Sequence, residues 1–421
     1  CLFVRRLSVS SCAVAGATGR ADAPKPRVLV LAGPTASGKT ATSLALAESL
    51  NGEVISADSV QVYRGLDVGS AKVPEASRRG VPHHLLDVRE PGDDFSAGDF
   101  FDLASAELQA IVDRGRVPIV VGANGLYLRW LVRGKPRTPR SDPELAAEAR
   151  ARLTAAADDA LANATCLPCD EETEAKVRWA GATQALASAG DPHTAQTLEQ
   201  NDYYRLERAM EIILAEGRPR TQFAIDGDDS ELVAAEEPPP YDFRCFFLTP
   251  ARVPLYRRID FRCERMVAEG LLQESLKLLD SDISDEAPAA RAIGYRQGMD
   301  FLRQCRERRG ACSVADFRKF LDEFQQASRH YARRQLTWFR GSNATEYQWL
   351  DTARLGLNGT RDLILHEWAR EEHEPESSSE RLVLDRASER EMKRYKTRLR
   401  LFSHKEALHA AIRDIQNATT A

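Results

Sequence analysis

The eight residues GPTASGKT at positions 33–40 constrain this chain more than any others. They fit the spacing G-x-x-x-x-G-K-[ST]. The apolar run RVLVLAG (27–33) precedes them, and TATSLALAESL (40–50) follows with apolar residues at helical spacing. A strand that turns through glycines into a helix is the context in which this spacing cradles phosphate. Gly33 and Gly38 let the backbone curl, so that successive N–H groups across Thr35, Ala36 and Ser37 point inward. A larger residue at Gly38 is expected to obstruct the phosphate. Lys39 sets an ammonium against phosphate oxygens, and Thr40 offers a hydroxyl to Mg²⁺, the expected cofactor. The helix that starts near Thr40 adds the positive end of its dipole. The loop implies a diphosphate without fixing the reaction. ATP would fit it, so a small-molecule kinase is one reading.

The next strand ends on an aspartate. In GEVISADSVQVYRG (52–65), Val54 and Ile55 run into Asp58, then Ser59, Gln61 and Tyr63. Taken alone, Asp58 reads as a turn or helix-cap residue. Strand, loop, helix and strand in this order suggest a βαβ unit and a parallel sheet. Further strand candidates are RVPIVVGAN (116–124), after the helix-like 100–115, and DFRCFFLTP (242–250). The expected fold is α/β: a P-loop NTPase-like parallel-sheet core with a helical insertion domain and a helical C-terminal region.

The expected organisation has five parts. Residues 1–26 form a transit-like or disordered N-terminus, rich in arginine, serine and alanine with Asp22 as the one acid. Residues 27–140 are the first part of the core, and the Ala- and Glu-rich 141–200 are a helical insertion. Residues 201–350 return to the core and add helices over 257–279 and 317–339. Residues 351–421 form a variable tail, with a polar linker at 371–381 and a basic, helix-prone run at 390–400.

With 43% hydrophobic and 29% charged residues, the 421-residue chain has the makings of a globular protein with a sizeable core. No run reaches the roughly 18 consecutive apolar residues of a membrane span. Eight scattered cysteines read as reduced thiols. Cys166 and Cys169 form a CxxC, but a zinc site needs a second pair, and only His193 lies within reach downstream. The chain is expected to act as a monomer, in a plastid or mitochondrion, with the cytoplasm as the alternative.

Eight stretches, in order over roughly residues 27–345, resemble the tRNA dimethylallyltransferases, also called tRNA isopentenyltransferases. They are GPTASGKT, ISADSVQVYRGLDVGSAK, VPHHLLD (81–87), FSAGDF (95–100), PIVVGANGLYL (118–128), NDYYRLERAMEI (201–212), RAIGYRQG (291–298) and RRQLTWFRG (333–341). The resemblance implies transfer of the dimethylallyl group of dimethylallyl diphosphate to N6 of adenine 37, beside the tRNA anticodon. It puts the diphosphate on Gly33, Thr35, Ala36, Ser37, Gly38, Lys39 and Thr40. Catalysis would fall to Asp58, Lys39, Thr40 and Arg296. tRNA contacts would come from the helical insertion 141–200 and from Asp58, Ser59, Gln61, Asn124, Arg205, Arg208, Arg291, Gly294, Tyr295, Arg296 and Gln297. An exocyclic amine is a poor nucleophile, because its lone pair is delocalised into the ring. A carboxylate at Asp58 that accepts its proton would free that pair. Adenine 37 would have to be flipped out of its stack to arrive there.

One departure stands out: GANGLY replaces the family's GGTGLY or GGSGLY, which puts Ala123 and Asn124 where a glycine and a small hydroxyl are usual. It keeps a non-catalytic RNA-binding relative open as a reading. The adenylate isopentenyltransferases, which prenylate free nucleotides to make cytokinins, are the nearer alternative. They typically show GATGTGKS and DKIQVY, against GPTASGKT and DSVQVY here. They also lack a long helical insertion.

The net charge of −5 does not favour nucleic acid, so any RNA site must come from local clusters. Three arginine-rich stretches, 126–140, 291–309 and 328–340, supply candidates, with Tyr295, Tyr331 and Trp338 among them as stacking groups. Residues 351–421 hold no cysteine, so a C2H2 finger like that of eukaryotic cytosolic members is not expected among them. The run Lys393, Arg394, Lys396, Arg398 and Arg400 could replace it or be a solvated helix face.

Overall fold

The computed structural model of the chain describes residues 24–164, 170–223, 240–341, 346–371, 391–392 and 394–420. The transit-like segment (except 24–26), the pair Cys166 and Cys169, Lys393 and nearly all of the polar linker lie outside the described residues.

In chain order the core begins with β1 (Arg27–Ala32), α1 (Lys39–Leu50), β2 (Gly52–Ala57) and the short β3 (His83–His84). Next come α2 (Ala97–Asp113), β4 (Val117–Gly122) and α3 (Gly125–Arg133). Four helices follow: α4 (Pro143–Ala162), α5 (Glu171–Ser188), α6 (Pro192–Thr197) and α7 (Tyr203–Glu216). The chain returns through β5 (Asp242–Thr249), α8 (Arg252–Glu269), α9 (Leu271–Leu279), α10 (Tyr295–Glu307) and α11 (Val314–Arg340). It then adds β6 (Gln348–Asp351), α12 (Thr352–Ala369) and a C-terminal helix, Lys405–Thr420.

The six strands form one parallel sheet in the order β3-β2-β4-β1-β5-β6. A central parallel strand is covered on both faces, which is why it reads as an unbroken apolar run. In β1, Val28, Val30 and Ala32 face one core cluster, while Leu29 and Leu31 face another that includes Leu44 and Leu46 of α1. The α/β expectation and the four strands read from sequence hold. Strands β3 and β6 went unread because two to four residues carry too little pattern.

Residues 141–200 are helical where described, and the helical body does not stop at 200. Leu206, Ala209 and Met210 of α7 pack with Leu153 of α4 and Leu186 of α5 in a cluster separate from the sheet's own. The expected return to the core at 201 is therefore corrected to after α7. The helical stretch 257–279 breaks into α8 and α9 at Gly270, whose φ of +122° a side chain would resist. The run 394–400 is not helical and carries no regular secondary structure, with half-buried and exposed residues alternating along it. Among the described residues no helix is long and apolar enough to cross a membrane.

Candidate active site

Three loops leave the carboxyl ends of neighbouring strands at one level. Ala32 of β1 pairs with Gly122 of β4, and Gly122 pairs with Ala57 of β2. Gly33, Ala123 and Asp58 are thus the first residues past a single line across the sheet, where open α/β sheets bind ligands. A Cβ on Gly122 would lie 2.2 Å from the Ala57 carbonyl oxygen, so glycine permits this close approach.

In the phosphate loop Gly33, Ala36 and Gly38 take φ of +151°, +61° and +99°. An added Cβ at Gly33 would lie 2.8 Å from Ser37 Oγ and 3.0 Å from the Leu248 carbonyl oxygen. At Gly38 no protein atom lies within 4 Å of an added Cβ. Inside the protein, then, Gly38 answers to backbone conformation and not to space. Lys39 Nζ donates to the carbonyls of Gly33 (2.8 Å) and Pro34 (2.9 Å). Burial and the Arg262 guanidinium push its ammonium down to about 7, against an opposing pull from the Asp58 carboxylate. The Ser37 hydroxyl is buried without a hydrogen-bond partner among the described residues, and Thr40 stands exposed on the first turn of α1. This donor set fits a diphosphate. It also fits Mg²⁺, which commonly takes one or two protein oxygens and completes its shell with phosphate and water.

Asp58 is half-buried and answers to both of its readings. Its Oδ1 accepts from the backbone N–H groups of Val60 (2.9 Å) and Gln61 (3.3 Å), which makes the turn. Its charge also acts on Lys39, Arg262, Tyr127 and Tyr331. Burial, with the Asp58 charge behind it, pushes the Tyr331 hydroxyl up to about 12. Ser59 is half-buried beside the aspartate. Gln61 is drawn inward: its Oε1 accepts from Ser56 Oγ (2.9 Å), and its Nε2 donates to the Ser70 carbonyl (3.2 Å). Its amide holds the loop in shape, which corrects the base-holding expectation.

Asn124 is the N-cap of α3, and its Oδ1 accepts from Tyr127 N–H at 3.3 Å. Asn, Ser and Thr all serve this role, so the departure at 124 keeps the cap. Ala123 has an ordinary negative φ and is buried, so its methyl is accommodated. Gln335 ties this turn to the phosphate loop. It accepts from Thr35 N–H (3.0 Å), donates to the Ala123 carbonyl (3.4 Å) and hydrogen-bonds Tyr331. An added Cβ at Gly125 would lie 2.2 Å from the Trp338 ring, so the GANGLY turn sits directly on α11.

GYRQ works mostly from within. Gly294 caps α10 with φ +97°, and its N–H donates to Gln297 Oε1 at 2.8 Å. Tyr295 is fully buried and donates to Glu274 Oε2 at 2.7 Å. Glu274 in turn accepts from the N–H groups of Asp67 (3.0 Å), Val68 (2.8 Å) and Gly69 (3.1 Å), pinning the loop that continues from Asp58. Tyr295 therefore braces that loop from inside, while Gly294 and Gln297 cap α10; the two buried residues, Gly294 and Tyr295, are not surface groups for RNA. Arg296 is exposed, with no ion-pair partner among the described residues, while Arg291 pairs with Glu286 at 3.4 Å. Arg205 and Arg208 lie on α7 in the helical body, paired with Asp202 and with Glu211 (2.7 Å).

The basic stretch 126–140 is also largely engaged. Arg129 lies over the Trp338 ring at 4.8 Å, Arg133 pairs with Glu346, and Lys135 (3.1 Å) and Arg140 both meet Asp102. Tyr295 packs inside and Trp338 against α3, so neither is a free stacking platform. Two site groups went unread in the sequence, Arg262 and Gln335. Arg262 sits in RRIDFRCER among four other arginines over 257–265 and 252, and no spacing singles it out. Gln335 sits inside a recognised motif, RRQLTWFRG, whose polar member was the available signal.

The IPP transferase family model matches residues 61–342, more than half of the chain. The chain belongs to the IPP transferase family. The phosphate loop and Asp58 lie ahead of the matched residues and are recognised on their own geometry. Among individual relatives, tRNA dimethylallyltransferase 9 of Arabidopsis thaliana is 43% identical over 354 residues, covering 78% of this chain and 72% of that protein. The tRNA dimethylallyltransferase of Protochlamydia amoebophila is 36% identical over 344 residues, covering 82% and 89%. The solved tRNA isopentenylpyrophosphate transferase of Bacillus halodurans superposes with a TM-score of 0.53 at 33% identity, covering 81% of this chain and 96% of its own. A solved eukaryotic dimethylallyltransferase acting on tRNA shares the fold at a TM-score of 0.60 and 24% identity.

Proposed function

We propose that this IPP transferase moves the dimethylallyl group of dimethylallyl diphosphate onto N6 of adenine 37 in tRNA. One observation carries the reading: a phosphate loop and a carboxylate, Asp58, rise from level strand ends on either side of β4, with Lys39 close enough to feel the Asp58 charge. The names of the relatives favour tRNA as the acceptor.

In this reading the diphosphate lies along the loop, facing the N–H groups of Ala36, Gly38 and Lys39, the Ser37 hydroxyl and the Lys39 ammonium, while the N–H groups of Thr35 and Ser37 are held by Gln335 and the Pro34 carbonyl. Lys39 exchanges its contacts with the Gly33 and Pro34 carbonyls for phosphate oxygens. An anion beside it restores its proton, since a neighbouring negative charge favours the ammonium. Arg262 adds a second positive charge on the same side. Thr40 would hold Mg²⁺, which when bound would supply Lewis-acid stabilisation of the leaving charge. As the C1–O bond of the allylic diphosphate breaks, pyrophosphate leaves with its electron pair. The N6 lone pair forms the new C1–N bond, and the N6 proton passes to Asp58. Asp58 stays shaped for this through the turn bonds from Val60 and Gln61.

The test is direct. Protein, Mg²⁺, dimethylallyl diphosphate and a tRNA with adenines at 36 and 37 should give prenylated adenine. Transfer to free AMP but not to tRNA would support the adenylate-type alternative. ATP-dependent phosphorylation would support a kinase, although GYRQ and the 333–341 stretch have no place in that reading.

A further inference from the structure

Helix α8 has two working faces. One carries Arg262 toward Lys39 and Asp58. The other buries two acids one turn apart, Asp260 and Glu264. These hold the segment 394–402 against the helix. Glu264 accepts from the backbone N–H groups of Arg400 and Phe402, each at 3.0 Å. Asp260 accepts from the Tyr395 hydroxyl (2.5 Å) and pairs with Arg329, which also donates to Thr397 Oγ1 at 3.0 Å.

Burial alternates residue by residue along the segment. Tyr395, Thr397 and Leu399 are half-buried, while Arg394, Lys396, Arg398 and Arg400 are exposed. The result is a row of four cations on the exposed side of the segment. Arg394, Lys396 and Arg398 have no ion-pair partner among the described residues, and Arg400 lies over the Phe261 ring at 5.1 Å. Between this strap and α8 runs a groove of about 820 Å³, with Arg257 on the opposite wall. Its acids are already occupied: Asp260 by Arg329 and Tyr395, and Glu391 by Arg257 at 3.9 Å. In a chain of net charge −5, an unneutralised line of like charges calls for a polyanion. These residues also lie beyond the 61–342 matched by the family model.

We propose that this strap and the adjoining face of α8 form a binding groove for the sugar–phosphate backbone of RNA, separate from the adenine site. The choice of RNA rests on the proposed tRNA substrate and on α8 being shared with the site. A regular file of cations without exposed apolar side chains among them suits phosphodiesters.

The experiment uses the full chain with Arg394, Lys396 and Arg398 all changed to Gln, and binding of an unmodified full-length tRNA transcript between 50 and 200 mM KCl. With no prenyl donor present, the measurement is independent of turnover. Affinity should fall at least tenfold at 100 mM, and the slope of log Kd against log salt should lose about 2 for three phosphate contacts on a single strand. The double variant Arg394→Lys with Arg398→Lys should keep the wild-type slope. An unchanged slope in the triple variant, at wild-type thermal stability, overturns the proposal. So does a variant that loses only binding to phosphatidylserine vesicles. A chain that prenylates tRNA with an unaltered slope sinks the groove alone. One that never prenylates, yet loses slope in the triple variant, sinks the functional reading alone.

Discussion

The site end of the sheet and the helical body treat charge in opposite ways. In the body the charges neutralise one another: Arg150 with Glu207 (3.2 Å), Arg178 with Asp158 and with Glu174 (2.9 Å), Lys176 with Glu172 (2.7 Å). Such pairs at an exposed surface contribute little and dissolve in salt. At the sheet's end, Lys39, Asp58 and Arg262 gather without closing into an ion pair, and burial holds both cations below their usual range. The difference separates a solvated surface from a place prepared to receive a charged ligand. It also tempers the expectation that 141–200 binds tRNA, since Arg150, Arg152, Lys176 and Arg178 there already have acidic partners.

The sharpest way to break the comparison is Asp58→Ala. Turnover of tRNA at saturation should fall on the order of 10²–10⁴-fold if the carboxylate takes the N6 proton. tRNA affinity should stay within a few-fold. Lost affinity with an unchanged rate would return Asp58 to being a turn residue.

Arg262→Gln should cost about 10²-fold in kcat/KM, as the loss of one charge-stabilising donor does. It also carries a signed prediction for pH. The Arg262 charge helps push Lys39 down to about 7. Removing it raises that pKa, so the ammonium survives to higher pH. The weakening of pyrophosphate binding above pH 7 should then move upward. Lys39→Arg, which does not titrate, should lose that step altogether, and isothermal titration from pH 6 to 9 checks both.

Gln335→Leu strands the Thr35 N–H and the Ala123 carbonyl. Stability should fall by about 1–3 kcal/mol in thermal unfolding, the usual cost of unsatisfied buried groups. KM for the diphosphate should rise as the loop loosens. At the other extreme, Arg150→Ala in the helical body should change stability by no more than about 0.5 kcal/mol and leave turnover alone. A large effect there would mean that the body's surface charges do more than face water.

Much was legible beforehand because it is local. A phosphate loop is one strand, one glycine turn and one helix, and β2 shows its apolar run before Asp58. The alternating burial of the strap was legible as well. R-Y-K-T-R-L-R alternates with the period of a strand, and reading its basic content as helix-prone missed that period. GYRQ was read as a surface patch because a motif records which residues recur, not which way they point. Tyr295 faces inward to Glu274, and only Arg296 remains outside.

The sequence by itself determined the phosphate loop, the α/β class, the family and the aspartate at the end of β2, because each is written within a few consecutive residues or in their order. Tertiary structure alone decided that Arg262 faces Lys39 and that Gln335 joins the loop to Ala123 across 300 and 212 residues of chain. It also decided that Asp260 and Glu264 lash a distant strap to α8, in one case across 135 residues. Short-range pattern fixes the elements. Which side chains meet depends on strand order and helix rotation, and these are set by burying the whole core at once.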